Sequence, residues 1–592
     1  DYMVPSAFVP LDVIPLTPNG KVDRARLPAP EAGARPADDF VEPRTRVEQV
    51  LAQLWAEVLR LERVGIHDNF FTLGGDSILS IQIIARAAQA GVRVTPRQMF
   101  VHQTIAELAA VATDAAPGEA EQGAVTGDVP LTPVQRWFFD QHHPEPQWFN
   151  LGLLFDVPSG MDADRLQRAA DALLAHHDAL RTRFARTADG WTQRIAEPHA
   201  ATVDRIDLSA SEGDARDAAF TAEAERVQRS LDLEHGPLVR FALFDMGDRP
   251  QRLLVAAHHL VVDAVSWQFV AADLESAYRQ AGGTDPIALP SKTTSFKAWA
   301  ERLAEHARSD AARAESAFWT AQAAAGAERL PVDHIGGANA EGEAGFVVAA
   351  LEEAETRALL VDVPPVYGTQ VNDVLLAGLG RAFAQWTGDG ALWVDVEGHG
   401  REPLFDDVDL SRTAGWFTAI HPLRLEVPDE PGAALRSAKE QLRAVPAKGV
   451  GFGVLRWMGD DPTRAAFAAF PVPEVSFNYL GQMDGAPAAA GDALLVPSAG
   501  DAGRLRSPLS PRTHLLSIDA AVMGGRLHVT WTYAPAVHDR ATVERLAAGF
   551  LEALRDLVAH CRDPEAGGYT PSDFALAGLD QEGLAALLSQ LG

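Results

Sequence analysis

The sequence predicts a multidomain protein in which a small all-α domain precedes a large α/β region. Three observations carry that reading. The 592 residues are 47% hydrophobic without any long apolar run, so the chain can form several cores but has no stretch suited to a bilayer. Two stretches rich in Ala, Gly and acidic residues, 29–43 and 113–128, interrupt the hydrophobic periodicity as linkers do. Beyond the second, apolar runs of strand length are mixed with amphipathic helical spacings.

Taken in order, the segment 1–28 opens abruptly on apolar residues, which suggests a piece of something longer, and Asn19-Gly20 favours a tight turn presenting Lys21. Order resumes at 44–112. Thr45 with Glu48 forms a capping-box pattern ahead of Val47, Val50, Leu51, Leu54, Trp55 and Val58 on one helical face. Gly74-Gly75 then turns the backbone so that Ser77 starts a helix running through Ile78, Ile81, Ile84 and Ala88. Amide groups and the helix dipole at that point favour a phosphate, although a serine there is also an ordinary N-cap. Thr104 and Glu107 open a closing helix that runs through Val111.

Composition restricts the functions available. A formal charge of -30 disfavours nucleic acid and anionic membranes, both of which reward clustered Lys and Arg. Cys561 is the only cysteine, so neither an intramolecular disulfide, a thiolate metal cluster nor a two-thiol racemase can form, and no metal is expected. That cysteine usage, with nothing like a signal peptide at Asp1, points to a cytoplasmic setting.

The chemistry concentrates at two places. In Leu253-Leu-Val-Ala-Ala-His258-His259-Leu-Val-Val-Asp263 an apolar strand delivers two histidines and an aspartate into surroundings almost without polar side chains. A buried neutral imidazole is a competent general base. The dipeptide alone proves little, because His142-His143 and His176-His177 are also present, the first in a turn and the second on an amphipathic helix. The second place is Trp393-Val-Asp-Val-Glu397-Gly-His399-Gly-Arg401-Glu402, where alternation ends on an acid at a strand end. Strands are also expected around 151–155, 238–244, 253–257 and 475–479, a helix over 370–383, and loops at 336–345 and 484–503.

The pattern His-His-x-x-x-Asp-x-x-Ser-Trp resembles the condensation and epimerization domains of nonribosomal peptide synthetases. Further stretches follow in the family order: Leu131-Thr-Pro-Val-Gln-Arg-Trp-Phe, Asn372-Asp-Val-Leu-Leu-Ala, the Glu397 segment, Arg412-Thr-Ala-Gly-Trp-Phe-Thr, Pro446-Ala-Lys-Gly-Val-Gly-Phe-Gly and Phe477-Asn478-Tyr479-Leu-Gly-Gln. The Glu397 and Phe477 segments look like the epimerization branch. One departure is Ala264, where the family usually has glycine; a left-handed backbone there would strain an alanine.

The resemblance implies two chloramphenicol-acetyltransferase-like lobes, 129–308 and 309–569, with a tail at 570–592. It implies His259 and Glu397 as the proton-transfer groups, Tyr479 as a donor to an enolate oxygen with Asn478 in support, and His258 and Asp263 as structural residues. His399, Arg401 and Glu402 would hold the turn. Asp68-Asn-Phe-Phe-Thr-Leu-Gly-Gly-Asp-Ser77 resembles the carrier-protein motif whose serine receives 4'-phosphopantetheine, implying a four-helix peptidyl carrier domain, while 1–28 resembles the end of an adenylation domain, its lysine matched by Lys21. The expected partners are a carrier-bound aminoacyl or peptidyl thioester, a phosphopantetheinyl transferase, an upstream adenylation domain and a downstream condensation domain. The expected reaction is L-to-D inversion at the α-carbon. Peptide-bond formation and a catalytically degenerate docking module are the alternatives.

Overall fold

A computed structural model describes residues 40–114, 120–324, 326, 329–483, 493–498, 500–577, 581 and 583–584; Lys21, the segment 1–28 and most of the 29–43 linker lie outside the described residues. Helix α1 (Arg46–Leu59) begins with the expected box, the Thr45 hydroxyl accepting from the Glu48 amide and the Glu48 carboxylate from the Thr45 amide. With α2 (Ser77–Gln89), α3 (Pro96–Val101) and α4 (Ile105–Val111) it makes four helices around Leu51, Trp55, Phe70, Ile83, Ile84 and Leu108. Gly75 is required by close approach: a Cβ there would stand 2.5 Å from the Phe70 ring.

The second linker is more anchored than its composition implies. Strand β1 (Val92–Arg93) pairs with β2 (Thr113–Asp114), and β3 (Gly127–Val129) joins the next domain, where Val125 and Val129 are buried. Val125 within the segment and Val129 just beyond it suffice to draw its end into a core.

The first lobe continues with α5 (Pro133–Asp140), β4 (Asn150–Val157), α6 (Ala163–His176), β5 (Thr182–Thr187), β6 (Gly190–Ile195), β7 (Thr202–Asp207), α7 (Gly213–Arg229), β8 (Val239–Asp245), β9 (Gln251–His258), α8 (Ala264–Gln280) and α9 (Phe296–His306). The second carries β10 (Gly345–Ala350), β11 (Ala391–Gly398), β12 (Ala419–Glu426), β13 (Val475–Gln482), β14 (Val496–Pro497), β15 (Leu516–Met523) and β16 (Arg526–Tyr533). Its six-stranded sheet has the order β10-β16-β15-β13-β11-β12, and helices Val371–Thr387 and Arg540–Cys561 contribute to the core that holds Val394, Val396, Phe477 and Ile518.

Strand β14 belongs to the second lobe in sequence but pairs antiparallel with β4 at the edge of the first lobe's sheet, order β14-β4-β9-β8-β7. The chain from there stays beside β4: Asn150 N–H donates to the Leu505 carbonyl and Ser507 N–H to the Trp148 carbonyl. Part of the expected 484–503 loop is therefore a crossover that stitches the lobes, which a two-residue strand gives no periodic signal to reveal.

Candidate active site

Strand β9 ends on His258, a single 3-10 turn spans His259–Val261, and Asp263 caps α8 through the Ser266 amide at 2.7 Å. This abrupt strand–turn–helix junction gives the two histidines different surroundings. His258 is fully buried, with Nε2 against the Pro146 carbonyl at 2.8 Å and Nδ1 accepting from the Leu260 amide at 3.1 Å. Both nitrogens are engaged, and burial pushes its pKa down to about 3, so it is a neutral structural ring.

His259 is engaged on one side only. Its Nδ1 lies 2.9 Å from the Val262 carbonyl and therefore carries the proton, leaving Nε2 as a bare lone pair. The ring lies 4.2 Å from the Trp416 ring and 5.8 Å from that of Phe149, and burial, helped by the Arg506 charge, pushes its pKa down to about 4. At neutral pH it is an unprotonated base.

Glu397 comes from the other lobe. Register across the second sheet places Glu397 (β11) beside Asn478 (β13), and Asn478 beside Asp519 (β15). Strand alternation puts these three on one face together with Asp395, while Val396, Phe477 and Ala520 turn into the helix-covered core. Among the described residues nothing hydrogen-bonds the Glu397 carboxyl. Burial, with the charges of Asp519 and Asp395 adding and Arg506 opposing, pushes its pKa up to about 8. The charge of Arg506 thus acts on both His259 and Glu397.

A brace joins the two sources. Arg401 Nη2 donates to Asp263 Oδ1 at 2.8 Å and to Ser266 Oγ at 2.9 Å, Phe417 N–H donates to Asp263 Oδ2 at 3.2 Å, and the Arg401 guanidinium lies 4.0 Å from the Phe417 ring centre. His399 accepts from the Arg401 amide at 3.0 Å and sits 3.4 Å from Glu402. Asp263 is thus a cap and an interlobe tie. Ala264 is the first residue of α8 and lies outside the left-handed region, so the strain expected of an alanine there does not arise.

Tyr479 is placed elsewhere than its expected role requires. It follows Asn478, pairs with Ala520, and packs against the core on the side of β13 opposite Glu397. Its hydroxyl is buried and unpartnered, and the carboxyl whose charge it feels is Asp76 of the helical domain. The strand bulges between Tyr479 and Gln482, and beyond the bulge it meets that domain: Gln482 Nε2 donates to the Gly74 carbonyl at 3.3 Å, and a Cβ on Gly481 would stand 3.2 Å from Asp76 Oδ2. The Phe-Asn-Tyr-Leu-Gly-Gln run thus has two jobs. Asn478 belongs to the Glu397 face, while Tyr479, Gly481 and Gln482 belong to the contact with the helical domain.

At that contact Asp76 caps α2, Oδ1 accepting from the Ile78 and Leu79 amides at 2.9 and 2.8 Å, while Oδ2 is buried and unpartnered. Ser77, the first residue of α2, is half-buried, and its hydroxyl makes no hydrogen bond among the described residues. A free hydroxyl at a helix start fits attachment of a phosphodiester-linked arm. Farther along the contact, Lys448 Nζ lies 4.1 Å from the Phe100 ring centre and 3.5 Å from Glu402.

The sequence reading missed Phe149, Trp416, Asp519, Glu341 and Arg506. Asp519 carried a signal like that of His259, the one ionisable residue in the largely apolar run Leu516–Met523. Arg506 stands in a Gly-rich loop and carried none. One metal-like group occurs among the described residues, His176, His177 and Asp273. There Asp273 is held by Arg412 through both oxygens at 2.7 Å and by His177 at 2.9 Å, a packed network between the lobes. No described helix is long and apolar enough to cross a membrane.

Comparison with known proteins bears on this geometry directly. The Condensation domain family matches residues 125–579, and the phosphopantetheine attachment site family matches 49–112. The chain is 48% identical over its whole length to a linear gramicidin synthase from Brevibacillus parabrevis and 46% identical, again over its whole length, to chondramide synthase cmdD of Chondromyces crocatus; it spans 8% and 15% of those proteins. A solved epimerization domain, from the third module of tyrocidine synthetase B, is 33% identical with a TM-score of 0.69 over 75% of this chain and 98% of that one. The chain therefore belongs to the condensation-domain family, with a helical domain bearing a phosphopantetheine attachment site ahead of a chloramphenicol-acetyltransferase-like pair of lobes.

Proposed function

We propose that the chain is the carrier–epimerization part of a nonribosomal peptide synthetase, inverting the α-carbon of an aminoacyl or peptidyl thioester held on Ser77. The observation that carries this reading is the protonation state of two groups, one from each lobe, that both feel the charge of Arg506. At neutral pH His259 presents a bare Nε2, while Glu397, with a pKa of about 8, is a carboxylic acid. One group is ready to take a proton and the other to give one, which is what inversion requires and what a single acylation step does not. When attached at Ser77, the phosphopantetheine arm supplies a thioester, whose carbonyl makes the α-proton removable.

The steps then follow from the chain's own groups. His259 Nε2 takes the proton from one face of Cα, and Glu397 returns a proton to the other. After one passage His259 is protonated and Glu397 ionised, the arrangement suited to the reverse direction, so the product is a mixture of L and D. The reaction sets a rate toward near-equal isomers, and a downstream condensation domain selects the D form. Loading by a phosphopantetheinyl transferase and charging by an upstream adenylation domain complete the expected partners, and Lys21 belongs to the remnant of that adenylation domain. His258 and Asp263 are structural.

The match to the condensation family favours a second reading, in which His259 assists an amine attacking the thioester. The test loads the chain with an L-aminoacyl group, incubates it in deuterated water and resolves the hydrolysed amino acid by chirality. Epimerization gives α-deuterium and D product. Condensation, or a docking module without catalysis, gives neither.

A further inference from the structure

Removing an α-proton leaves negative charge on the thioester oxygen, and the second lobe presents that charge with a hostile wall. Asp395, Glu397 and Asp519 share one sheet face; Asp395 is held by His514 at 2.8 Å, and Glu397 and Asp519 are both pushed above the usual carboxylate range by burial. An enolate formed beside them needs a cation or strong donors.

Most candidate groups are committed elsewhere. Asn478 is hydrogen-bonded to Asp519, and Tyr479 lies on the other side of β13. Arg401 is bound to Asp263 and Ser266. Lys448 reaches Glu402 and Phe100 at the helical domain, and Arg512 holds the Thr532 carbonyl at 2.8 Å.

Arg506 is placed differently. Its guanidinium lies 4.4 Å from the centre of the Phe149 ring, whose stacking partner is His259, and Nη1 is 3.1 Å from Glu341 Oε1. Its backbone is fixed by the bridge to Phe149 and by the neighbouring Leu505 and Ser507 bonds to the first lobe. The side chain is 46% exposed, so it reaches solvent and does not fill a core position.

We propose that Arg506 is a further catalytic residue, the cation that balances the negative charge developing on the substrate's carbonyl oxygen, held at the site by Phe149 and Glu341. This rests on the epimerization reading above. The Cα–H bond breaks heterolytically, its proton passing to the base and its electron pair delocalising onto the carbonyl oxygen; reprotonation at the opposite face returns the pair to Cα, and nothing is oxidised or reduced.

The test uses the full chain, loaded at Ser77 from an aminoacyl-coenzyme A by a phosphopantetheinyl transferase, and follows first-order α-deuterium uptake from pH 5 to 9. Arg506→Gln is expected to slow uptake about 10²-fold, the cost of losing one oxyanion-stabilising group. Its alkaline limb is expected to move to higher pH, because Glu397 loses the cation that opposes its protonation. Arg506→Lys, which keeps the charge but not the planar stack, is expected to recover most of the rate. Unchanged thermal stability and Ser77 loading in both variants would confirm that the fold is intact. Uptake by Arg506→Gln within about twofold of wild type overturns the proposal while leaving the epimerization reading in place, and so does equal impairment of the Lys and Gln variants, which would make the side chain a packing element. Absence of uptake in the wild-type chain overturns both.

Discussion

Among the carboxyl groups that burial drives above the ordinary range, Asp76 at the contact between helical domain and lobes and Glu397 at the end of β11 end in different states. Asp76 rises to about 6, because two backbone amides at the start of α2 hold its ionised form against desolvation. Glu397 rises to about 8 through burial, because no donor among the described residues engages it and its neighbours Asp519 and Asp395 are themselves acidic. Desolvation is the largest influence on both; hydrogen-bond donors decide the outcome. At pH 7 the first is chiefly a carboxylate that caps a helix, and the second is chiefly an acid with a proton to give.

The strongest way to break the contrast is to remove the proton-transfer groups. Glu397→Gln and His259→Ala are each expected to lower the rate of inversion by about 10²- to 10⁴-fold, measured as D product from a loaded L-aminoacyl chain. Asp76→Asn should leave chemistry at the α-carbon intact.

The brace that brings the two lobes to one site comes next. Arg401→Met leaves the Asp263 carboxylate buried without its guanidinium, with an expected loss of about 3–5 kcal/mol of stability on thermal or denaturant unfolding. Adding Asp263→Asn should restore part of that loss, since it removes the unpaired charge.

The pH dependence sharpens the comparison further. Inversion is expected to hold a plateau between about pH 4, below which His259 takes up a proton, and about pH 8, above which Glu397 loses its own. A rate profile of the loaded chain across that range checks both limbs.

The smallest effect belongs to the interdomain contact. Because the docked Asp76 carboxyl sits above its ordinary value, docking is favoured at low pH and weakens as pH rises through about 6. Asp76→Asn keeps a side-chain oxygen for the helix cap and should remove that dependence, strengthening contact at pH 8 severalfold, as hydrogen-exchange protection at Gly481 and Gln482 would report.

What could be read in advance follows from the same physics. The capping box at Thr45, the helix from Ser77, the β9 strand and Glu397 at the end of β11 were legible because each rests on local periodicity or local hydrogen bonding. The opposed sides of Asn478 and Tyr479 were legible in principle from strand alternation, but the motif suggested one shared task for neighbours that the pleat separates. Arg506, Phe149 and the β14 crossover were not legible. They come together through pairings between residues hundreds of positions apart, which no window of sequence contains.

The central claim is that His259 and Glu397 serve opposite faces of one carbon, and isomer-resolved exchange tests it most directly. The Glu397→Gln and His259→Ala chains are loaded separately with L- and D-aminoacyl groups in deuterated water, and deuterium and configuration are read together. The account expects each variant to exchange the α-proton of one isomer only, a different isomer in the two variants, with configuration retained and inversion lost. A variant that continues to invert at the wild-type rate, or one that loses exchange of both isomers while the other keeps both, would contradict it.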